Sequence, residues 1–599
     1  MTAKKVEPYL MSVLSSRLDG ITLEMINTIL RTARSQVLSV ARDFSTAILD
    51  HNGEVIAAPQ GIPVHCANMG LTAKYLFEHP DGIHEGDLFL SNSPYHGCTH
   101  PADYTYVAPV FHDGKLMFFT FVRAHQADCG NHLPTTYYAR AKDVYEEGAL
   151  IWPVVKIQKN YKDVDDIINI AKMRIRVPES WYGDYLAAVG AIRTSEKQLI
   201  KICKQYGNDL IYDFTEAYQQ YGEARILEEL SKLSTQKAVY EFPYDAVPGF
   251  SDDITIHLEA QVDQESGDII VDVTKNVDAL DWGLNLSEAT TLAACKSGII
   301  TQLDNVPRID GAMKHIKVLM RDNCILGVSK HPKSYSAATT NVMDRTMSGM
   351  QVLMNQLKSD TGIAECGTNL PGSCSCISGL DFRNNDEPFM TQIHTGASGG
   401  PGVKGHDGWI TFIDCGVSGC ARWNTIEILE QQYPVMVLEE EVIPNGIGSG
   451  EFDSSPALKT VFTARKHPVT FAYSSDGARN APKGAAGGLK GTKIVGWRYN
   501  KEEGIENRTI CEPYTEELIS DTEFLVSECS SGGGYGDPLD RDPEKVRHRA
   551  REGWITVDYA KAIYGVVLDT SVELYAVDEE RTKELRKKLK EQKSKGECK

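Results

Sequence analysis

Between residues 21 and 38, apolar side chains fall at Ile26, Ile29, Leu30, Ala33 and Val37, the spacing of one face of a helix. The period then shortens. ARDFSTAILD (41–50) and EVIAA (54–58) read as strands, and Asn52-Gly53 between them is a hairpin turn pair. Tyr104–Phe111 and Leu116–Arg123 form a second hairpin about Asp113-Gly114, whose two-residue loop sets Asp103 opposite Ala124, one step from His125. Residues 163–206 return to helical spacing (Ile167, Ile168, Ile170, Met173), broken at Pro178. A further long helix gives way to strands before 250. Ile254–Val262 then alternates strictly and, after a turn at Glu265-Ser266-Gly267, IIVDV (269–273) continues the alternation as a half-buried hairpin. A helix is expected over 286–301, and short strands with many glycines over 380–520. SGGGYGDP (531–538) is a glycine loop, Asp542-Pro543 opens a helix-turn-helix, and the Lys/Glu-rich tail at 579–599 reads as a solvated helix that frays.

These elements make a mixed α/β (α+β), multidomain protein with antiparallel hairpins and helical segments. We expect four units: an N-terminal α/β part (1–235), a hairpin-rich centre (236–395), a glycine-rich β part (396–538) and C-terminal helices with a charged tail (539–599). A chain of 599 residues is too long for one core. Its formal charge of −20 disfavours a nucleic-acid partner. No apolar run is long enough to cross a bilayer and the N-terminus lacks a signal peptide, so the expected location is the cytosol. The 14 cysteines are scattered without a Cys-x2-Cys pair; Cys374/Cys376 and Cys415/Cys420 read as small buried side chains.

The chemistry concentrates at the open end of the second hairpin, which gathers His100, Asp103, His125 and Asp128. His100 precedes Pro101 and so is extended, and a turn begun by the proline brings His100 and Asp103 together. Two imidazoles and a carboxylate on a rigid hairpin end can hold a divalent metal with positions left for water or substrate. Zinc, manganese and iron all suit that donor set. The alternative is that Asp103 caps a turn while backbone groups satisfy the histidines. Neither GAAGGLKGTK (484–493) nor GASGGPGVKGHDGW (396–409) has P-loop spacing, and no G-x-S-x-G elbow is present; the first two read as flexible loops near a boundary between subunits.

NSPYHGCTHPAD (92–103) resembles the N-D-P-Y-x-G-G-T-H-x-x-D pattern of the hydantoinase B / 5-oxoprolinase / acetone carboxylase alpha family, and RAHQAD (123–128) resembles its R-A-H-H-A-D. The similarity extends through IPVHCANMG (62–70), YEEGALIWPVVKI (145–157) and GGGYGDP, in the family's order. The resemblance implies a hydantoinase B-like fold, His100, Asp103 and His125 as metal ligands, and Asp43, in the R-D-F-S element, as a fourth ligand or a base. Asp128 is a further candidate acid or base, and His65 a candidate brace behind the ligands. It also implies a hydantoinase A-like partner chain that binds ATP and phosphorylates an oxygen of a small-molecule substrate. FIDCGVSGCARW (412–423) departs from the family run before Asn424, Thr425, Glu427 and Tyr433-Pro434. That departure is similar to the divergent chains of acetophenone-carboxylase-like complexes, which favours an ATP-dependent ketone carboxylase with activated bicarbonate and further subunits. The alternative is an ATP-dependent hydrolase of a cyclic imide or lactam.

Overall fold

The computed structural model describes residues 6–368, 371–396, 398–410 and 412–595. Its N-terminal part is built on a seven-stranded antiparallel sheet. The strands are β1 (Phe44–Asp50), β2 (Val55–Ala57), β3 (Leu88–Ser91), β4 (Asp103–His112), β5 (Lys115–His125), β6 (Val155–Lys159) and β7 (Lys162–Asp163), in the order β2-β1-β5-β4-β3-β6-β7. The helices packed on this sheet include α1 (Pro8–Thr32), α2 (Met69–Phe77) and α3 (Pro178–Tyr206). Helices α1 and α3 cover one face. There Met25, Ile29, Tyr185 and Ile192 pack on Tyr104, Tyr106, Val122 and Ala124. Strand side chains alternate, so the neighbouring positions face the other way. On that side Val107, Phe119 and Phe121 pack beneath Met69 and Leu76 of α2. Central strands covered on both faces bury every side chain of β1.

Asp113 (φ 52) and Gly114 (φ 72) make the expected two-residue turn. The register near the turn, His112 opposite Lys115 and Phe111 opposite Leu116, is the one the loop dictates. It then shifts between Val110 and Phe111, with Val110 opposite Phe118, so Met117 is an extra residue in β5. The shift places Asp103 directly opposite His125, not Ala124. A bulge thus completes the alignment that the hairpin begins.

The centre holds Ala238–Tyr244, Ile254–Val262, Ile269–Asp272 and Ile316–Leu319 as a four-stranded sheet, packed with helices Glu288–Ile300 and Val342–Met354. Val262 pairs with Ile269 as the alternating pattern requires. The fourth strand has no counterpart in the sequence pattern: it runs parallel to Ile269–Asp272, because the intervening helix returns the chain to the same edge. Cys376–Asp381 and Glu387–Gln392 join Val469–Ser474 and Tyr514–Ile519 in another sheet, so hydrogen bonding ties residues on both sides of position 395. A five-stranded sheet from 435 to 528 packs on it through Ile377, Phe471, Phe462 and Leu525.

The glycine-rich runs are not loose loops among the described residues. Gly402 donates to Gly533 O at 2.8 Å, Gly534 to Leu489 O at 2.9 Å and Ala485 to Gly534 O at 3.0 Å. A Cβ on Gly448 would collide with the Gly532 carbonyl, and one on Gly488 with that of Gly534. Glycine is needed here because backbone packs directly on backbone. Ala397, within the 396–409 run, lies outside the described residues. The expected helix-turn-helix is Pro543–Arg551 and Val557–Tyr564. The tail helix, Glu579–Ser594, is docked rather than merely solvated: Arg586 Nε donates to Tyr564 O at 2.9 Å and Lys593 pairs with Asp537 at 2.6 Å. Residues 596–599, where fraying was expected, lie outside the described residues. No helix among the described residues is long and apolar enough to cross a membrane. Cys374, Cys376 and Cys415 are buried and unbridged, as expected, whereas Cys420 is half-buried.

Candidate metal centre

Asp103 and His125 begin and end the paired strands, and the pleat that directs them away from α1 and α3 also directs Thr105 and Arg123 to that side. His100 reaches the same point through its turn, in which Asp103 N donates to His100 O at 3.2 Å. Ligand atoms of His100, Asp103 and His125 all lie within 4.8 Å of one another, and the three side chains are buried.

The hydrogen bonds assign a part to each atom. Asp103 Oδ2 accepts from Thr99 Oγ1 at 2.6 Å and lies 3.2 Å from His65 Nε2. Oδ1 lies 3.0 Å from His100 Nε2 and 3.1 Å from His125 Nδ1. The other nitrogen of His100, Nδ1, is 2.9 Å from the carbonyl of Ser336. A carbonyl only accepts, so Nδ1 carries the proton and Nε2 of the neutral ring presents a lone pair to Asp103. His125 Nε2 is engaged at 3.1 Å by Thr136 Oγ1, which leaves Nδ1 facing the same oxygen. Lone pairs on nitrogen and a carboxylate oxygen, buried and 3.0 Å apart, require a cation between them. A proton is the minimum: burial opposes charge on His100, but Asp103 and the Ser336 carbonyl outweigh it and raise its pKa. Burial likewise opposes the Asp103 carboxylate, and His100 and His65 outweigh it, holding its pKa well below the usual range. A divalent ion suits the donor set better. Atoms held about 2.1 Å from an ion sit about 3.0–3.4 Å from each other, and a histidine ligand commonly donates its second nitrogen to a carbonyl.

A family model described as hydantoinase B/oxoprolinase matches residues 7–538. The chain belongs to this family. The beta subunit of caprolactamase from Pseudomonas jessenii is 26% identical over 579 residues, covering 95% of this chain and 97% of that one. The B-type chain of a putative D-/L-hydantoinase from Pseudomonas sp. (strain NS671) is 27% identical over 611 residues, covering 98% of each. The ATP-dependent caprolactamase structure from Pseudomonas jessenii superposes with a TM-score of 0.85 at 23% identity, over 98% of this chain and 100% of that one. The nucleotide-free acetone carboxylase structure gives 0.84 at 18% identity, over 98% and 83%. Both share the mixed α/β fold.

Around the triad of this hydantoinase B-type chain, His65 braces Asp103, and its Nδ1 is held at 3.1 Å by Ser45 Oγ. Arg123 anchors that brace, donating to His65 O at 3.0 Å and to Thr105 and Thr72 hydroxyls at 2.9 Å each. Asp43 is buried beside the cluster, and its carbonyl accepts from His125 N at 3.0 Å. Burial, then the charges of Asp103 and Asp414, push its carboxyl well above the usual range. Asp128 is engaged elsewhere. Its Oδ1 accepts from Gly130 N at 2.9 Å and Arg176 Nη1 at 3.0 Å, and its Oδ2 accepts from Arg176 N, so its bonds hold the 128–132 turn.

Sequence reasoning missed Tyr137, Gln392 and His394. The Tyr137 ring stacks on His100 (5.8 Å) and on His125 (5.3 Å), and its hydroxyl reaches Gln392 Oε1 at 3.4 Å. A cavity of about 340 Å³, lined by Tyr137, Tyr138, Arg140, Tyr473 and Glu516, meets the cluster at this ring. Part of the Tyr137 signal was in the sequence, since it lies 12 residues after His125; nothing local pointed to the other two.

Proposed function

We propose that this chain is the metal-bearing subunit of an ATP-dependent complex that hydrolyses a cyclic amide such as a lactam or an imide. The observation that carries the reading is the convergence of His100 Nε2, His125 Nδ1 and Asp103 Oδ1 on one buried point. Similarity along nearly the whole length to a caprolactamase beta chain and a hydantoinase B-type chain supports the substrate class. ATP is used by a hydantoinase A-like partner, which phosphorylates the amide oxygen and so makes the ring carbon attackable. His100, Asp103 and His125 would hold zinc, manganese or iron. When bound, such an ion polarises the oxygen on which charge develops. A raised pKa makes the ionised form of Asp43 a stronger base. That carboxylate carries protons from the attacking water to the departing ring nitrogen, which leaves as the amine with both of them, and the acyl phosphate that remains is hydrolysed by a second water to the carboxylate and inorganic phosphate. Tyr137 separates this chemistry from the neighbouring cavity.

The second reading is the ketone carboxylase. It is favoured by the divergent 412–423 run, which packs on the site: Arg422 N donates to Ala41 O at 2.8 Å, Val64 N to Gly416 O at 3.3 Å, and Asp414 raises the Asp43 pKa. The purified complex with its partner separates the two. ATP turnover with a lactam or cyclic imide alone is expected; turnover that needs bicarbonate and a ketone would establish the carboxylase instead. Asp43→Asn is expected to retain metal while losing about 10²–10⁴-fold in turnover, the usual range for a general base. Metal content and steady-state rates measured on one preparation check this, and loss of both together would make Asp43 a ligand.

A further inference from the structure

Strand Glu387–Gln392 runs on past its end: Ile393 N donates to Ser375 O and Thr395 N to Ser373 O, each at 2.9 Å. Alternation therefore continues. Ile393 joins the core between the two C-terminal sheets, and Gln392 and His394 turn to the opposite side. That side meets the metal centre. Gln392 lies opposite Cys376, whose sulfur reaches Thr136 Oγ1 at 3.3 Å, and that hydroxyl reaches His125 Nε2. Gln392 Oε1 accepts from Tyr137, the ring stacked on both metal-site imidazoles.

The His394 backbone is fixed at both polar atoms. Its N–H donates to Asn424 Oδ1 at 2.6 Å and its carbonyl accepts from Asn424 N at 2.8 Å, while Asn424 Nδ2 donates to Gln36 Oε1 at 2.8 Å. The side chains are the reverse case. Both ring nitrogens of His394 (5% exposed) and Nε2 of Gln392 (1% exposed) are buried without a hydrogen-bond partner. Buried polar groups are almost always paired, and a rigidly held exception marks a place for an ordered water, an ion or a ligand. Burial, and then the charge of His125, lower the His394 pKa to about 4, so the ring is neutral and offers one N–H. Gln392 Nε2 adds two more. Donors outnumber acceptors on this wall, so its complement is an oxygen-rich anion.

We propose that Gln392 and His394 form an oxyanion subsite facing the metal triad, which holds the carboxylate or phosphoryl oxygens of a small molecule. The location rests on the metal-centre reading above; the subsite itself rests on the unpaired donors. The test is calorimetric titration of the full-length chain with inorganic phosphate and, separately, with bicarbonate, each with and without manganese, alongside measured manganese uptake. Wild-type chain is expected to bind at least one of the two anions. His394→Leu and Gln392→Leu, which keep the apolar volume and remove the donors, are expected to weaken that binding at least tenfold with manganese stoichiometry unchanged. Binding of either anion in both variants as in wild type, or no binding in wild type, would overturn the proposal. Donor-dependent anion binding by a chain that takes up no manganese would sink the metal reading and leave the subsite standing.

Discussion

Asp103→Ala is expected to lower metal affinity by well over 100-fold and to abolish turnover. The side chain is the meeting point of the site: Oδ1 faces both imidazoles, and Oδ2 receives Thr99 and His65. Replacing a residue that merely orients a ligand already costs about 10–100-fold in affinity, and here the proposed ligand itself is lost. The same substitution leaves the bonds from Thr99 and His65 unmade inside the protein, at about 1–3 kcal/mol for each buried group. The variant should therefore also unfold at lower denaturant concentration. Elemental analysis after dialysis against a buffered metal concentration reads the first effect, and chemical denaturation the second. Wild-type metal occupancy in Asp103→Ala would remove the residue from the ligand set.

Arg123→Ala is the second large effect, and it acts on stability first. The guanidinium is fully buried and joins β5 to the chain above it, bonding to Thr105 on the neighbouring strand and to His65, Asn68 and Thr72 over the sheet. Each bond from a charged group contributes about 1.5–3 kcal/mol, and several acceptors are left unsatisfied together. A loss of about 3–5 kcal/mol is expected, within the range for breaking a buried charged network. Because His65 O is one of the acceptors, His65 loosens and with it the brace on Asp103. Metal affinity should then fall about 10–100-fold as well. Denaturation curves at saturating and at zero metal separate the two contributions. A loss below about 1 kcal/mol would show that the network is dispensable.

The clustering of His100, Asp103 and His125 was legible because the three residues are local. His100 and Asp103 share one turn, and Asp103 and His125 share one hairpin whose loop type Asp113-Gly114 announces. The one-residue error in the register came from the Met117 bulge, since a bulge is a property of the paired strands that a loop rule does not see. Asp128 illustrates the opposite case. It sits close to His125 in sequence, yet its oxygens are taken by Arg176, a partner 48 residues away that no local pattern reveals. Gln392 and His394 were illegible for the same reason. They come to the site only when a C-terminal sheet docks on the hairpin end, through contacts such as Thr136 with Cys376 and Gln36 with Asn424. The glycine runs showed their composition but not their purpose, because nothing local distinguishes a glycine needed for backbone contact from one in a loop.

The proposed cation between His100, Asp103 and His125 is tested most directly by anomalous difference maps. These are collected at the zinc, iron and manganese absorption edges from crystals of the wild-type chain grown with each metal. A single strong peak within about 2.0–2.3 Å of one nitrogen from each histidine and one Asp103 oxygen is the predicted result. Peaks confined to other parts of the molecule, or no peak at saturating metal, would contradict it.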